Sequence, residues 1–296
     1  GKFVIWAAVS LAERLPQPEN KMTNPFVWDW PSRTVVFNDG NIMPVIGLGT
    51  YSLKGDACVS SVLTALKYGY RLIDTASFYQ NERSVGEAVR SSGISREEIF
   101  ITTKLYPSQY AIAETAIDDA LEKLGVGCVD LMLLHHPGKY DIAAYHAMER
   151  AVKAGKIRSI GLSCYYIREL EEFLTETEIT PAVIQNELHP YYQDAEATAY
   201  IQKKGIVVEG WYPLGGRGYT KEMQGNEALA QIGARYGKTP AQVILRWNLQ
   251  RNVAVIPGSS NPRHIKENTD IFDFELSAAD MQTISRLDRR EKHDWY

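Results

Sequence analysis

The chain has 296 residues, 45% of them hydrophobic and 23% charged, and a formal net charge of −4. That composition is ordinary for a globular protein with a sizeable core, and with no basic block it argues against nucleic acid or an anionic membrane as partner. Cys58, Cys128 and Cys164 are scattered without CxxC spacing, so neither a disulfide framework nor a zinc ribbon is indicated, and a reducing, cytoplasmic setting is the simpler expectation.

Lys2 followed by "FVIWAAVSLA" offers a charged start, an apolar run over residues 3–12 and a small-x-small end, which fits a signal-peptide core. The run is too short to span a bilayer as a helix. The alternative is a plain extra segment packed on the domain, and Met22 is a second candidate for the natural start. Residues 1–33 are therefore read as an N-terminal extension and 34–296 as a single domain.

"TVVF", "NDGN" and "IMPV" predict two short strands around an Asp-Gly turn. Eight apolar runs follow in order: "PVIGLGT", "YRLIDTA", "EIFITTKL", "VDLMLLHHP", "IRSIGLSC", "AVIQNEL", "GIVVEGW" and "VAVIPGSS". Amphipathic stretches such as "AETAIDDALEKLG", "AAYHAMERAVKAGK" and "TPAQVILRWNLQRN" lie between them, several ending at glycine as helix C-termini do. Strands alternating with helices predict a parallel sheet, and eight such units close a (β/α)8 TIM barrel, an α/β fold. An open dinucleotide-binding sheet is disfavoured, because Gly47-Leu48-Gly49 lacks the third glycine at its proper spacing.

Barrel enzymes carry their chemistry where strands end. Those ends hold Asp74 and Tyr79, Lys104, His135, Ser163 with Cys164, Gln185 with Glu187, Trp211, and Ser259. Singly, each has a plain alternative: Asp74 as a helix cap, Tyr79 as a half-buried aromatic, Lys104 as a solvated cation, His135 beside His136 as a core histidine or half of a metal site. Together they suggest a unit. A lysine beside a carboxylate stays protonated, its charge lowers the pKa of a neighbouring phenol, and a neutral imidazole can hydrogen-bond the same carbonyl oxygen. No HxH or HExxH spacing supports a metal centre.

The motifs "GLGTY", "LIDTASFYQNE", "ITTKL", "DLMLLHHP", "IGLSC", "VIQNELHPYYQ", "VEGWYPLG" and "IPGSSNPRHIKEN" make residues 35–288 resemble the aldo-keto reductases, in particular the diketogluconate-reductase-like branch. The resemblance implies a monomeric oxidoreductase that reduces a small aldehyde or ketone with NADP(H) or NAD(H). It matches Asp74, Tyr79, Lys104 and His135 to the family's catalytic tetrad. It places Ser163, Cys164 and Gln185 at the nicotinamide carboxamide, Trp211 against the nicotinamide ring, and Thr50 near the ribose. Leu214, Gly215 and Arg217 fall in a loop over the pyrophosphate. Ser259, Asn261, Arg263 and His264 fall at the adenosine 2′-position, and Glu267 and Asn268 at the adenine. Tyr51 and His136 would line the substrate pocket. A cofactor-binding sensor with little turnover is the alternative on the same fold. A Schiff-base role for Lys104 is disfavoured by the charge that Asp74 stabilises.

The chain also departs from the pattern. Cys164 stands where asparagine is usual, Gly258 where "IPKS" has lysine, His264 where arginine is expected, and His136 where tryptophan often follows the catalytic histidine. Losing two cations leaves less to hold a 2′-phosphate, so the expectation is dual cofactor use with a modest NADPH preference. The short "GKYD" loop and brief tail predict an open, tolerant site.

Overall fold

The computed structural model describes residues 26–294. The signal-like run of residues 3–12 lies outside the described residues. Three short strands come first, β1 (Val27–Asp29), β2 (Thr34–Val36) and β3 (Ile42–Pro44), antiparallel in that order. β2 and β3 are the hairpin read from the sequence, with Val36 opposite Ile42, and Gly40 in its turn takes a φ of +87°. Such a left-handed position suits a residue without Cβ. β1, upstream of the expected domain start, adds a strand on the free edge of β2.

The barrel then runs through β4 (Leu48–Gly49), α1 (Gly55–Lys67), β5 (Leu72–Asp74), α2 (Glu82–Ser91), β6 (Phe100–Leu105), α3 (Ala113–Leu124), β7 (Val129–Leu134) and α4 (Asp141–Lys153). It continues through β8 (Ile157–Ser163), α5 (Ile167–Phe173), β9 (Val183–Glu187), α6 (Ala195–Lys203) and β10 (Val207–Trp211). After α7 (Thr220–Gln224), α8 (Glu227–Tyr236) and α9 (Pro240–Gln250) come β11 (Val253–Val255), α10 (Pro262–Thr269) and α11 (Ala278–Ser285). The eight strands β4 to β11 lie side by side in chain order, each pair parallel. Every residue of β6, β7 and β9 is buried, polar ones included, as strands covered on both faces of the sheet must be.

The ring closes between its first and last strands. Val255 N–H donates to Val45 O at 3.0 Å, Gly47 N–H to Val255 O at 3.0 Å and Gly49 N–H to Pro257 O at 3.2 Å. The eight-unit barrel expected from the apolar runs is therefore the fold. Its N-terminal mouth is covered by the β2–β3 turn: Asn38 Nδ2 donates to Pro181 O and Gly205 O, and Asn41 Nδ2 to Arg158 O and Ser159 Oγ. With that mouth closed, the strand C-termini are where the fold leaves room for chemistry.

Close approach of β8 to β9 carries Ser163 beside Gln185. Gly161 makes it possible, because a Cβ there would run into the Val183 carbonyl oxygen and meet Leu133 Cδ2 at 2.9 Å. Gly161→Ala is expected to destabilise the protein by about 1–3 kcal/mol through overpacking, lowering the melting temperature by several degrees. A melting curve unchanged from wild type would show that β8 and β9 are not packed this closely.

Candidate active site

Asp74 ends β5, Lys104 is the penultimate residue of β6, and His135 follows β7. Tyr79 ends a 3₁₀ turn, Ser77–Tyr79, between β5 and α2. Since β5, β6 and β7 are neighbours, the four residues come together at one end of the barrel. Lys104 is fully buried, and its ammonium donates to Asp74 Oδ1 at 2.6 Å, Thr75 O at 3.0 Å and the Tyr79 hydroxyl at 3.3 Å. An ammonium has three N–H donors, and all three are used.

Asn81 braces this arrangement. Its Nδ2 donates to Thr50 O and Leu53 O, both at 2.9 Å, while its Oδ1 accepts from Thr75 Oγ1. Thr50 in turn donates to Asp74 O at 2.8 Å. One buried amide thus ties the loop after β4 to the loop that carries Tyr79. The sequence places Asn81 inside "SFYQNE" without revealing this role.

Burial alone would lower the Lys104 pKa, but Asp74 and Tyr79 reverse that and hold it above the usual lysine range. The Tyr79 phenol departs from expectation. Burial pushes its pKa up to about 12, and the opposing pull of Lys104 offsets only part of that rise. The lysine acts in the expected direction and is outweighed, since taking a phenolate out of water costs more than one neighbouring cation returns. His135 is shifted well below the ordinary histidine value by burial, then by Lys104 and His136, so its imidazole is neutral at pH 7. Its Nδ1 is buried without a hydrogen-bond partner.

A cavity of about 550 Å³ opens from these residues and crosses the ends of β4, β5, β8, β9, β10 and β11. Thr50, Tyr51, Ser163, Cys164, Gln185, Trp211, Leu214, Arg217 and Ser259 line it. Gly215 has a φ of +102° and accepts from the tail through its carbonyl rather than lining the cavity. Asn261 caps α10 by accepting from Arg263 N–H at 2.9 Å, Arg263 and His264 are exposed, Glu267 is half-buried and Asn268 buried. None of these five lines the cavity, nor does His136, whose ring packs edge-on to His135 and Tyr106.

Several lining residues escaped the sequence reading. Phe78 stands at the mouth, 47% exposed, and stacks on Tyr106 at 4.5 Å. Both are aromatic residues just past strand ends, a signal that was available. Asp294 also lines the cavity, so the brief tail forms part of its wall. Glu187 Oε2 accepts from His293 N–H at 2.6 Å and Glu187 Oε1 from Asp294 N–H at 2.9 Å. The His293 ring lies between His189 and Tyr219, 4.3 and 3.6 Å away between ring centres.

Glu187, His189 and His293 bring ligand-type atoms within 4.8 Å of one another. Their nitrogens already have protein partners: His189 Nε2 meets Glu187 at 2.7 Å and His189 Nδ1 accepts from Tyr191 N–H, while His293 meets Gly215 O at 2.5 Å and Glu291 at 2.9 Å. The two rings are stacked, 22° apart in plane, and each His293 nitrogen already faces an oxygen acceptor. This cluster is a clamp on the tail.

Cys164 has a φ of +61°, a left-handed conformation in which asparagine is far more at ease than cysteine. Burial pushes the thiols of both Cys164 and Cys58 up to about 11, whereas Cys128 is only half-buried. A thiol-specific reagent at about pH 8 should therefore label Cys128 and spare the other two, read by peptide mass spectrometry. Rapid labelling of Cys164 would contradict the enclosure of this side of the site.

A model of the Aldo/keto reductase family matches residues 45–289. The glyoxal reductase of Bacillus subtilis (strain 168) is 43% identical over 267 residues, covering 88% of this chain and 94% of that protein. The methylglyoxal reductase of Escherichia coli (strain K12) is 36% identical over 276 residues, covering 92% of this chain and 96% of that protein. Among solved structures, an aldo-keto reductase from a Medee basin deep-sea metagenome library superposes with a TM-score of 0.85 at 36% identity, covering 88% of this chain and 97% of that one. With its barrel, its buried lysine–aspartate pair and these relatives, the chain belongs to the aldo/keto reductase family.

Proposed function

We propose that this reductase converts a small aldehyde or ketone to the alcohol, with Tyr79 as the proton donor. The observation that carries the reading is the Tyr79 hydroxyl 3.3 Å from the Lys104 ammonium, beside a neutral His135 on the cavity wall. A phenol whose pKa is pushed up to about 12 keeps its proton at neutral pH and is loaded for donation. As the substrate oxygen gains negative charge, the proton moves from Tyr79 to it, and the phenolate left behind faces Lys104. A neutral imidazole at His135 can hydrogen-bond the same oxygen without adding charge.

The cavity lining suits the nicotinamide end of the NAD(P)H that the family uses. Gly49 and Gly258 line the cavity where the barrel closes, and added Cβ atoms would meet the opposite backbone oxygens at 2.7 and 3.0 Å, so only glycines let the seam close this tightly there. Ser163 and Gln185 supply buried polar groups, and Trp211 an aromatic face. When bound, the reduced cofactor supplies the hydride to the carbonyl carbon. Thr50, Leu214 and Arg217 would hold its ribose and pyrophosphate, and Ser259, Asn261 and Arg263 its 2′-end. Two relatives bear the names of reductases of glyoxal and methylglyoxal, which makes small dicarbonyls the first substrates to test. A net charge of −4 supports a small-molecule partner rather than nucleic acid, and no described helix is long and apolar enough to cross a membrane. A monomer is the simplest assembly for this reading.

Tyr79→Phe is expected to lower kcat at least about a hundredfold with methylglyoxal while leaving NADPH affinity nearly intact. Retention of more than about a tenth of wild-type activity would remove Tyr79 from the acid role. Lys104→Met should be comparably damaging and should also destabilise the fold by about 3–5 kcal/mol, since it strands Asp74 as a buried unpaired charge.

Cofactor choice follows from the cations. Gly258 offers none, Arg263 is exposed and faces Glu267 at 3.8 Å, and one charge-assisted contact is worth about 1.5–3 kcal/mol. Both cofactors should work, with kcat/KM favouring NADPH modestly. A preference beyond about a thousandfold, equivalent to about 4 kcal/mol, would require cations other than these.

A further inference from the structure

β10 carries a second buried acid, Glu209, two residues before Trp211 and with 0% exposure. Its Oε1 accepts from Gln185 Nε2 at 2.6 Å, and the same nitrogen donates to Asp74 Oδ2 at 2.8 Å. A primary amide nitrogen has two N–H donors, and here both are committed to carboxyl groups. Gln185, which lines the cavity, therefore has only its carbonyl oxygen to offer a ligand.

The charges in this cluster do not balance if every acid is ionised. Lys104 is one cation, and it is paired with Asp74 at 2.6 Å. Glu209 Oε2 has no hydrogen-bond partner. An ionised Glu209 would thus be a buried carboxylate with one oxygen facing no donor and a second carboxylate nearby, which is among the costliest arrangements a protein interior can hold. The groups that face it are Asp74 from β5, Lys104 from β6 and the neutral amide of Gln185 from β9, while β11 opposes it with Ala254. Burial and then Asp74 push the Glu209 carboxyl up to about 8, with the Gln185 hydrogen bond and Lys104 pulling back only part of the way.

We propose that Glu209 is a positioning residue that works as the neutral carboxylic acid, fixing with Asp74 both N–H groups of Gln185 so that the amide meets the bound nicotinamide as a hydrogen-bond acceptor. The identity of the ligand rests on the reductase reading, whereas the protonation state of Glu209 does not. Losing the proton sets a second negative charge against Asp74, and their repulsion strains the arrangement in which one amide nitrogen bridges the two carboxyl groups. The sign of the pH effect follows. With its folded pKa raised, Glu209 makes the folded protein hold one proton more than the unfolded chain from the ordinary carboxyl range up to about 8, so stability falls as pH rises across that window.

The test uses the apoprotein and NADPH. The wild-type minus Glu209→Gln infrared difference at neutral pH should contain the C=O stretch of a protonated carboxylic acid, and it should fade by about pH 9.5. In fluorescence titrations at pH 7, Glu209→Leu should weaken NADPH binding about tenfold or more, and Glu209→Gln should restore it to within about threefold. Wild-type affinity should fall between about pH 7 and 9, and Glu209→Gln should abolish that fall. The proposal is overturned if the difference spectrum lacks the protonated C=O, if Glu209→Gln binds as poorly as Glu209→Leu, or if its pH dependence matches wild type. Should Glu209→Leu fail to fold, the infrared difference and the Glu209→Gln titrations decide. Binding of neither NADPH nor NADH by wild type, with the infrared signal intact, would sink the reductase reading and leave the neutral acid standing.

Discussion

One ammonium group taken wholly out of water organises this protein. Lys104 has its charge met by Asp74 and its remaining donors by Thr75 and Tyr79, all supplied by the end of β5 and the turn that follows it. A buried ion pair adds little net stability, yet removing one partner is severely destabilising. The pair therefore enforces geometry more than it adds free energy. β5 and β6 must hold their register, and the turn bearing Tyr79 must stay where Asn81 ties it, or an unpaired charge appears in the core.

The same constraint extends outward along the sheet. Asp74 gives one oxygen to Lys104 and the other to Gln185, so β9 is tied to β5 across the barrel end. Two residues beyond Gln185, Glu187 gives both its oxygens to backbone N–H groups of the C-terminal tail. Two carboxylates, facing different neighbours, thus connect the tetrad, the cavity wall and the chain terminus. Gly161 admits the strand contact on which this alignment depends.

How much of this was legible depended on distance along the chain. Each barrel strand announced itself through its own apolar run, and the tetrad through polar residues at the ends of those runs, because both are local signals in a regular fold. β1 did not: Val27, Trp28 and Asp29 show no alternation, and only pairing with β2 makes them a strand. The tail clamp joins residues 106 positions apart, with nothing in "KHD" to point at Glu187. Tyr79 shows a different limit. The influence of Lys104 could be reasoned from residue types, but its contest with burial is decided by how many atoms surround the phenol. Glu209 is the same case, because an acid on a buried strand reads as an anomaly until its neighbours are known.

The seam of the barrel bears on how the protein is made. The strand that opens the ring, near residues 45–49, finds its second neighbour only in residues 253–258. During synthesis its outer edge has no partner until residues 253–258 have left the ribosome, and for that interval a half-built sheet carries an unpaired strand edge of the kind that recruits other chains. Closure is also a contact of very long sequence separation, which slows folding. The segment that seals the ring and the tail that completes the cavity wall both appear after the other seven barrel strands, so a nascent chain holds the tetrad's residues well before it has the ring and wall that enclose them.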